Sequence, residues 1–179
     1  ELSEVATLAL VSNGAIAVQE SRIAASGIDR YMDGIYISEK VGAAKPSAKL
    51  FEHALRDLGI TNKSRVLMVG DDLLADIKGG LNAGVDTCWF NPGNLENKSG
   101  ITPKYTVSSY EELYRIVMEP EELENIGVRN RRHSPAVRQG RTAAARLSGG
   151  GIILELRMYR YVVGTSKLRQ ELRRTRGTA

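Results

Sequence analysis

The sequence predicts an α/β fold: a three-layer sandwich with a parallel sheet between two layers of helices. Three observations carry this. Short apolar runs alternate with stretches of helical periodicity from Thr7 to Val117. Glycine, proline or asparagine punctuates the junctions. Strand alternating with helix implies parallel strands covered on both faces, and the apolar runs are continuous, as such strands require.

Each element has its own reason. Thr7–Val11 is a short apolar run that reads as a buried strand, and residues 15–25 carry apolar side chains at helical spacing up to Gly27. Residues 35–37 read as a brief strand. Ser47, after Pro46, opens a helix expected over residues 48–58, with Gly59 as its stop. Residues 65–69 read as a strand and 73–82 as a helix ending near Gly84. A further strand over 87–90 is broken by Asn91-Pro92-Gly93. Residues 105–107 make a last strand, and Ser109 caps a helix through Val117.

Charge divides the chain. Residues 1–128 hold 12 Lys+Arg against 19 Asp+Glu, net −7, while residues 129–179 hold 13 against 2, net +11. The total of +4 and the pI of 9.3 therefore describe the tail rather than the body. Lys167 is the tail's single lysine, and no Asp follows Asp86. The domain reading is a core over 1–118 and a basic, Arg-rich tail over 119–179, foreign to the core or poorly ordered. Ile152–Val163 is a candidate strand in that tail and Lys167–Arg176 a candidate basic helix. Clustered arginine can neutralise phosphates. Zinc spacing, a helix-turn-helix signature and an aromatic platform are all missing, so a nucleic-acid partner is not expected.

Composition excludes other classes. The hydrophobic and charged fractions, 42% and 26%, are those of a globular protein. No apolar run approaches the ~20 residues of a bilayer span, and no signal-peptide pattern opens the chain. A lone Cys88 rules out an internal disulfide framework, suits a reducing cytoplasm, and reads as a small buried residue beside Trp89 and Phe90. His53 and His133 have no partner at ligand spacing and read as structural or solvated. Tyr159 and Tyr161 read as one face of a strand.

Ligands of parallel sheets bind beyond the carboxyl ends of the strands. Three such ends carry chemistry. Ser12-Asn13-Gly14 follows the first strand and offers a hydroxyl and backbone N–H groups that suit a phosphate oxygen, or merely a helix cap. Lys45 precedes Pro46 at a helix start, where a cation can neutralise an anionic substrate. Gly70-Asp71-Asp72 with Asp76 follows a strand, and few carboxylates completed by water and phosphate are what Mg²⁺ prefers. The macrodipole at a helix start accounts for one or two of those acids, not for their alignment with the other two sites.

In this order the three features resemble the haloacid dehalogenase superfamily of phosphohydrolases, whose core is Rossmann-like. The resemblance runs from about Leu8 to Val117. "GGLNAGVDTCWFNPG" (79–93) and "ITPKYTVSSYEELYRIV" (101–117) look like its pyrimidine or non-canonical nucleoside 5′-monophosphatase branch. The resemblance implies that Ser12 hydrogen-bonds the transferring phosphoryl group and that Asn13 adds backbone contacts. Lys45 stabilises phosphoryl charge, Asp71 binds Mg²⁺, and Asp76 binds or orients the metal shell. Asp72 is left facing solvent. The implied reaction passes phosphate to an Asp and then to water, with a nucleotide phosphate ester as substrate.

The family's nucleophile sits in an Asp-x-Asp motif on its first strand, and no Asp-x-Asp occurs among the 179 residues. The expectation is that this strand and a helical cap domain lie upstream of Glu1, so the chain is an N-terminally truncated piece, inactive by itself. Without the family's first strand, two interior strands become exposed edges. Two other readings stay open: a non-catalytic remnant that binds Mg²⁺ or phosphate weakly or supports assembly, and a dehalogenase, which the acidic motif disfavours.

Overall fold

A computed structural model describes residues 2–118 and 150–156. Helix α1 (Leu2–Val5) leads into β1 (Ala6–Ser12), followed by α2 (Ile16–Ser26), β2 (Gly34–Ile37), α3 (Ser38–Val41) and α4 (Ala48–Asp57). Then come β3 (Val66–Gly70), a π-helical turn (Leu73–Ile77), α5 (Lys78–Ala83), β4 (Asp86–Phe90), β5 (Tyr105–Val107), α6 (Tyr110–Met118) and β6 (Gly150–Leu156). The expected elements of the body are all present, most within a residue or two of their expected ends. Ser47 caps α4 by accepting from the Lys49 N–H, and the Ser109 hydroxyl accepts from the Glu112 N–H in the first turn of α6.

Among the described residues six strands lie in the order β2-β1-β6-β3-β4-β5. β1 pairs with β2, β3 with β4 and β4 with β5, all parallel. Side chains alternate between two helical layers, as the pleat demands. Ala9, Val11, Val66, Met68 and Ile153 pack towards α4 and α5, against Leu50, Phe51 and Leu55. On the other face Leu8, Leu67, Val69 and Cys88 meet Leu113 and Ile116 of α6, and Leu10 meets Ile23 of α2. The glycine pair of α5 makes this packing close. A Cβ at Gly79 would stand 2.6 Å from the Phe51 ring, and one at Gly80 2.8 Å from the Thr87 methyl. His53 is half-buried on α4, edge-on to Tyr36, which fits a structural role.

One expectation is corrected here. β1 and β3 are not bare edges, because β6 lies between them, antiparallel to both. The sheet is therefore mixed rather than wholly parallel. The physical reason is that β6 is apolar on both faces: Ile153 points to the α4 side and Ile152 to the α2 and α6 side. It starts at Gly150, ahead of the run that the sequence marks as a strand. The candidate helix over 167–176, His133, Tyr159 and Tyr161 lie outside the described residues. No helix among the described residues is long and apolar enough to cross a membrane.

Candidate functional site

The carboxyl ends of β1 and β3 come together around Lys45. Its ammonium donates to Asp76 Oδ1 at 2.6 Å and to the Val11 carbonyl at 2.9 Å. Both side chains of this ion pair are 1% exposed. Taking two charges out of water is costly, so a pair this deep persists only if its remaining polar atoms are bonded. Asp76 Oδ2 accepts from the Asp72 N–H at 3.2 Å. Burial pushes the Asp76 carboxyl above its ordinary value, against the Lys45 ammonium and the Asp72 N–H, which pull it down.

Local chain geometry delivers each group. Asp72 accepts from the Leu74 and Ala75 N–H groups at 2.8 and 2.9 Å, capping the turn that follows. That turn is π-wide, and it swings Asp76 inward under the sheet. Gly70 makes room for it: a Cβ there would run into the Asp76 carboxyl group. Asp72 is exposed, as expected, yet it has this structural task. The single helix expected over 73–82 is thus a π turn followed by α5.

Asn13 bonds through both its backbone and its side chain: its carbonyl accepts from Gln19 Nε2 at 3.5 Å, and its amide side chain reaches Lys45. Its Nδ2 donates to the Lys45 carbonyl at 3.0 Å, and its Oδ1 accepts from the Lys45 N–H at 2.8 Å. A two-point amide clamp of this kind fixes where the Lys45 side chain departs. Nothing in the sequence marked it, because residues 13 and 45 meet only in the fold. The expectation of free N–H groups at the start of α2 is corrected as well. The Gly14 N–H donates to Ser38 Oγ at 3.1 Å and the Ile16 N–H to Glu39 Oε2 at 2.5 Å. Residues of α3 already cap α2, and a carboxylate sits where the macrodipole would favour an anion. Ser12, at the end of β1, is 1% exposed.

Of the acidic residues, Asp71 is exposed beyond the end of β3, and its carbonyl accepts from the Trp89 indole at 3.0 Å. A hard, exposed carboxylate is a fitting Mg²⁺ ligand, since that ion takes one or two carboxylates and fills its shell with water and phosphate. Asp76 is committed to Lys45 instead. Among the described residues, no three of His, Cys, Asp and Glu gather as a metal-holding group.

Comparison with known proteins agrees with this fold. The family model described as haloacid dehalogenase-like hydrolase matches residues 1–90. Pyrimidine 5′-nucleotidase YjjG of Escherichia coli is 46% identical over 112 residues, covering 63% of this chain and 50% of that protein. Pyrimidine 5′-nucleotidase PynA of Streptococcus pneumoniae is 43% identical over 102 residues, covering 57% and 43%. A crystal structure of the HAD-hydrolase YfnB from Bacillus subtilis, bound to magnesium, superposes with a TM-score of 0.56 at 39% identity, covering 59% of this chain and 46% of that one. The chain spans about half the length of the curated relatives it matches.

Proposed function

The chain belongs to the haloacid dehalogenase-like hydrolases, and from that premise we propose that it is the Lys45–Asp71 half of a Mg²⁺-dependent phosphomonoesterase acting on nucleoside 5′-monophosphates. The observation that carries the reading is Lys45. A buried ammonium, held by Val11 and Asp76 at the carboxyl ends of two parallel strands, is a preorganised cation where an anionic ligand of such a sheet would sit. The two pyrimidine 5′-nucleotidases at 46% and 43% identity support the nucleotide as substrate class. The magnesium in the YfnB structure supports the ion.

In this reading Lys45 neutralises charge on the transferring phosphoryl group, and Ser12 lends it a hydrogen bond. Asn13 sets the position of Lys45. Asp71 holds Mg²⁺, which when bound polarises a phosphoryl oxygen. Asp76 serves this site first as the counter-ion of Lys45 and only through it as a support of the metal shell. The nucleophile is an Asp of an Asp-x-Asp strand that these 179 residues do not include, so phosphate passes to that Asp and then to water. Residues 1–118 form the body of the core, residues 119–179 are a basic segment that lends β6 to its sheet, and the reducing cytoplasm is the compartment.

A metal titration of phosphate release from pyrimidine and purine 5′-monophosphates tests the proposal. A protein that joins this chain to a strand ending in Asp-x-Asp should release phosphate with Mg²⁺ and stop in excess chelator; the 179 residues alone should release none. Full activity in chelator would reject the metal. A second reading, a non-catalytic module of the same fold, is favoured by one observation: β6 already lies between β1 and β3. Absence of turnover in the joined protein, with Mg²⁺ still bound, would select it.

A further inference from the structure

We propose that Gly151 is a positioning residue for Lys45, so that the strand donated by the tail forms one wall of the site. The proposal rests on the reading of Lys45 as the site's cation. Asp76 is enclosed by two glycines from different strands. A Cβ on Gly70 of β3 would collide with its carboxyl group, and a Cβ on Gly151 of β6 would stand 2.8 Å from its Oδ1 and collide with the Met68 terminal methyl. Oδ1 is the oxygen that Lys45 holds. Gly151 is also the register partner of Val11, whose carbonyl takes another Lys45 contact. Thus one residue without a side chain borders two acceptors of the ammonium.

Gly151 is buried, and its φ is not among the positive ones, so the requirement is for space rather than for a special backbone conformation. A larger residue must displace either Asp76 or the strand. Either movement opens the pair to water, and an ion pair in water holds its partners far less firmly than a dry one. The glycine at the site end of β6 and the apolar Ile152 and Ile153 behind it therefore act together: the apolar pair seats the strand and the glycine fits it to the carboxylate. Positioning of Lys45 thereby depends on a segment more than a hundred residues downstream.

Amine labelling followed by peptide mapping reads this without any turnover. In the unaltered chain Lys45 should label far more slowly than Lys98, whose side chain is 80% exposed. Gly151→Val should raise the labelling of Lys45 by about fivefold or more, the scale of an overpacked interior, while leaving Lys98 unchanged. Gly151→Ala should do the same to a smaller degree. Gly93→Ala, whose Cβ would meet nothing nearer than Leu95 Cγ at 3.6 Å, should leave Lys45 protected. Because a Gly151 variant can lose its fold, the unaltered chain supplies a second measurement. Opening of β6 and exposure of Lys45 should be one event, so the Ile152 amide and the Lys45 amine should share a protection factor within about threefold. Fast labelling of Lys45 while β6 amides stay protected would overturn the proposal. So would a folded Gly151→Val chain with Lys45 still unreactive. If Lys45 positioning holds but the joined protein releases no phosphate, the functional reading fails and the positioning role stands.

Discussion

The parallel strands of the body and the antiparallel strand β6 occupy one sheet, yet they arrive there by different rules. β1 and β3 are each followed by a turn that carries chemistry: Ser12-Asn13 after one, Asp71 and Asp76 after the other. β6 runs the opposite way, so its amino end lies beside those turns, and that end is Gly150-Gly151. In the proposed site the body contributes the polar groups, while β6 contributes room for them. A strand can thus belong to a site through what it lacks, and a search for chemistry-bearing residues passes over it.

The largest expected effect tests the pair at the centre. Asp76→Ala should destabilise the protein by about 3–5 kcal/mol, because it strands a buried ammonium. Replacing both partners, as in Lys45→Met with Asp76→Leu, should recover much of that loss. Chemical denaturation of the two variants checks both statements. A double variant as unstable as the single would mean that the pair's surroundings, and not the uncompensated charge, set the cost.

Next comes the seating of β6. Ile153 is 1% exposed and packs with Met68 and Ala9, whereas Leu95 is 69% exposed. Ile153→Ala should cost about 2–5 kcal/mol, as in any packed core, and Leu95→Ala no more than about 0.5. Equal, small costs would mean that β6 contributes little to the folded state, and the contrast drawn between the two regions would then vanish. Within the body, Gly79→Ala should cost about 1–3 kcal/mol, because its methyl must push the Phe51 ring aside.

These residues also show what was legible beforehand. Periodicity located β1 to β5 and α2, α4 and α6, because each buries a face whose spacing is written locally. The strand-end rule picked out Ser12, Lys45, Asp71 and Asp76 as candidates, and the fold brings Lys45 and Asp76 into contact. Three things were not legible. The Asn13 clamp joins residues 32 positions apart. The capping of α2 by Ser38 and Glu39 depends on where α3 lands. The apolar run near Ile152 reads as a strand, but neither its place nor its direction in the sheet is encoded in its own pattern, since a strand buried on both faces fits any interior slot.

A last contrast comes from pH, and it separates interior from rim. Burial, with the Glu112 charge nearby, pushes the Cys88 thiol from its ordinary 9.0 up to about 12. Burial, the 2.7 Å hydrogen bond to Asp57 and that carboxylate's charge likewise raise the Tyr36 phenol above its ordinary value of 10.0. Both groups keep their protons longer in the fold than in the unfolded chain. Below about pH 9 both states are protonated and the stabilisation is complete. As pH rises past 9.0 the unfolded chain releases the Cys88 proton first, then near 10.0 that of Tyr36, and stability falls until the folded thiol itself titrates. Cys88→Ala should flatten the first part of that decline and Tyr36→Phe the second, as read from denaturation midpoints between neutral and alkaline pH. The exposed Lys104–Asp86 pair at the rim, 2.7 Å long, is the control. Lys104→Met should shift the midpoint at neutral pH by no more than the ~1 kcal/mol that surface pairs contribute, and should leave the alkaline slope up to pH 10 as it was. A slope that survives loss of both Cys88 and Tyr36 would place the alkaline sensitivity outside the two layers that these residues join to the sheet.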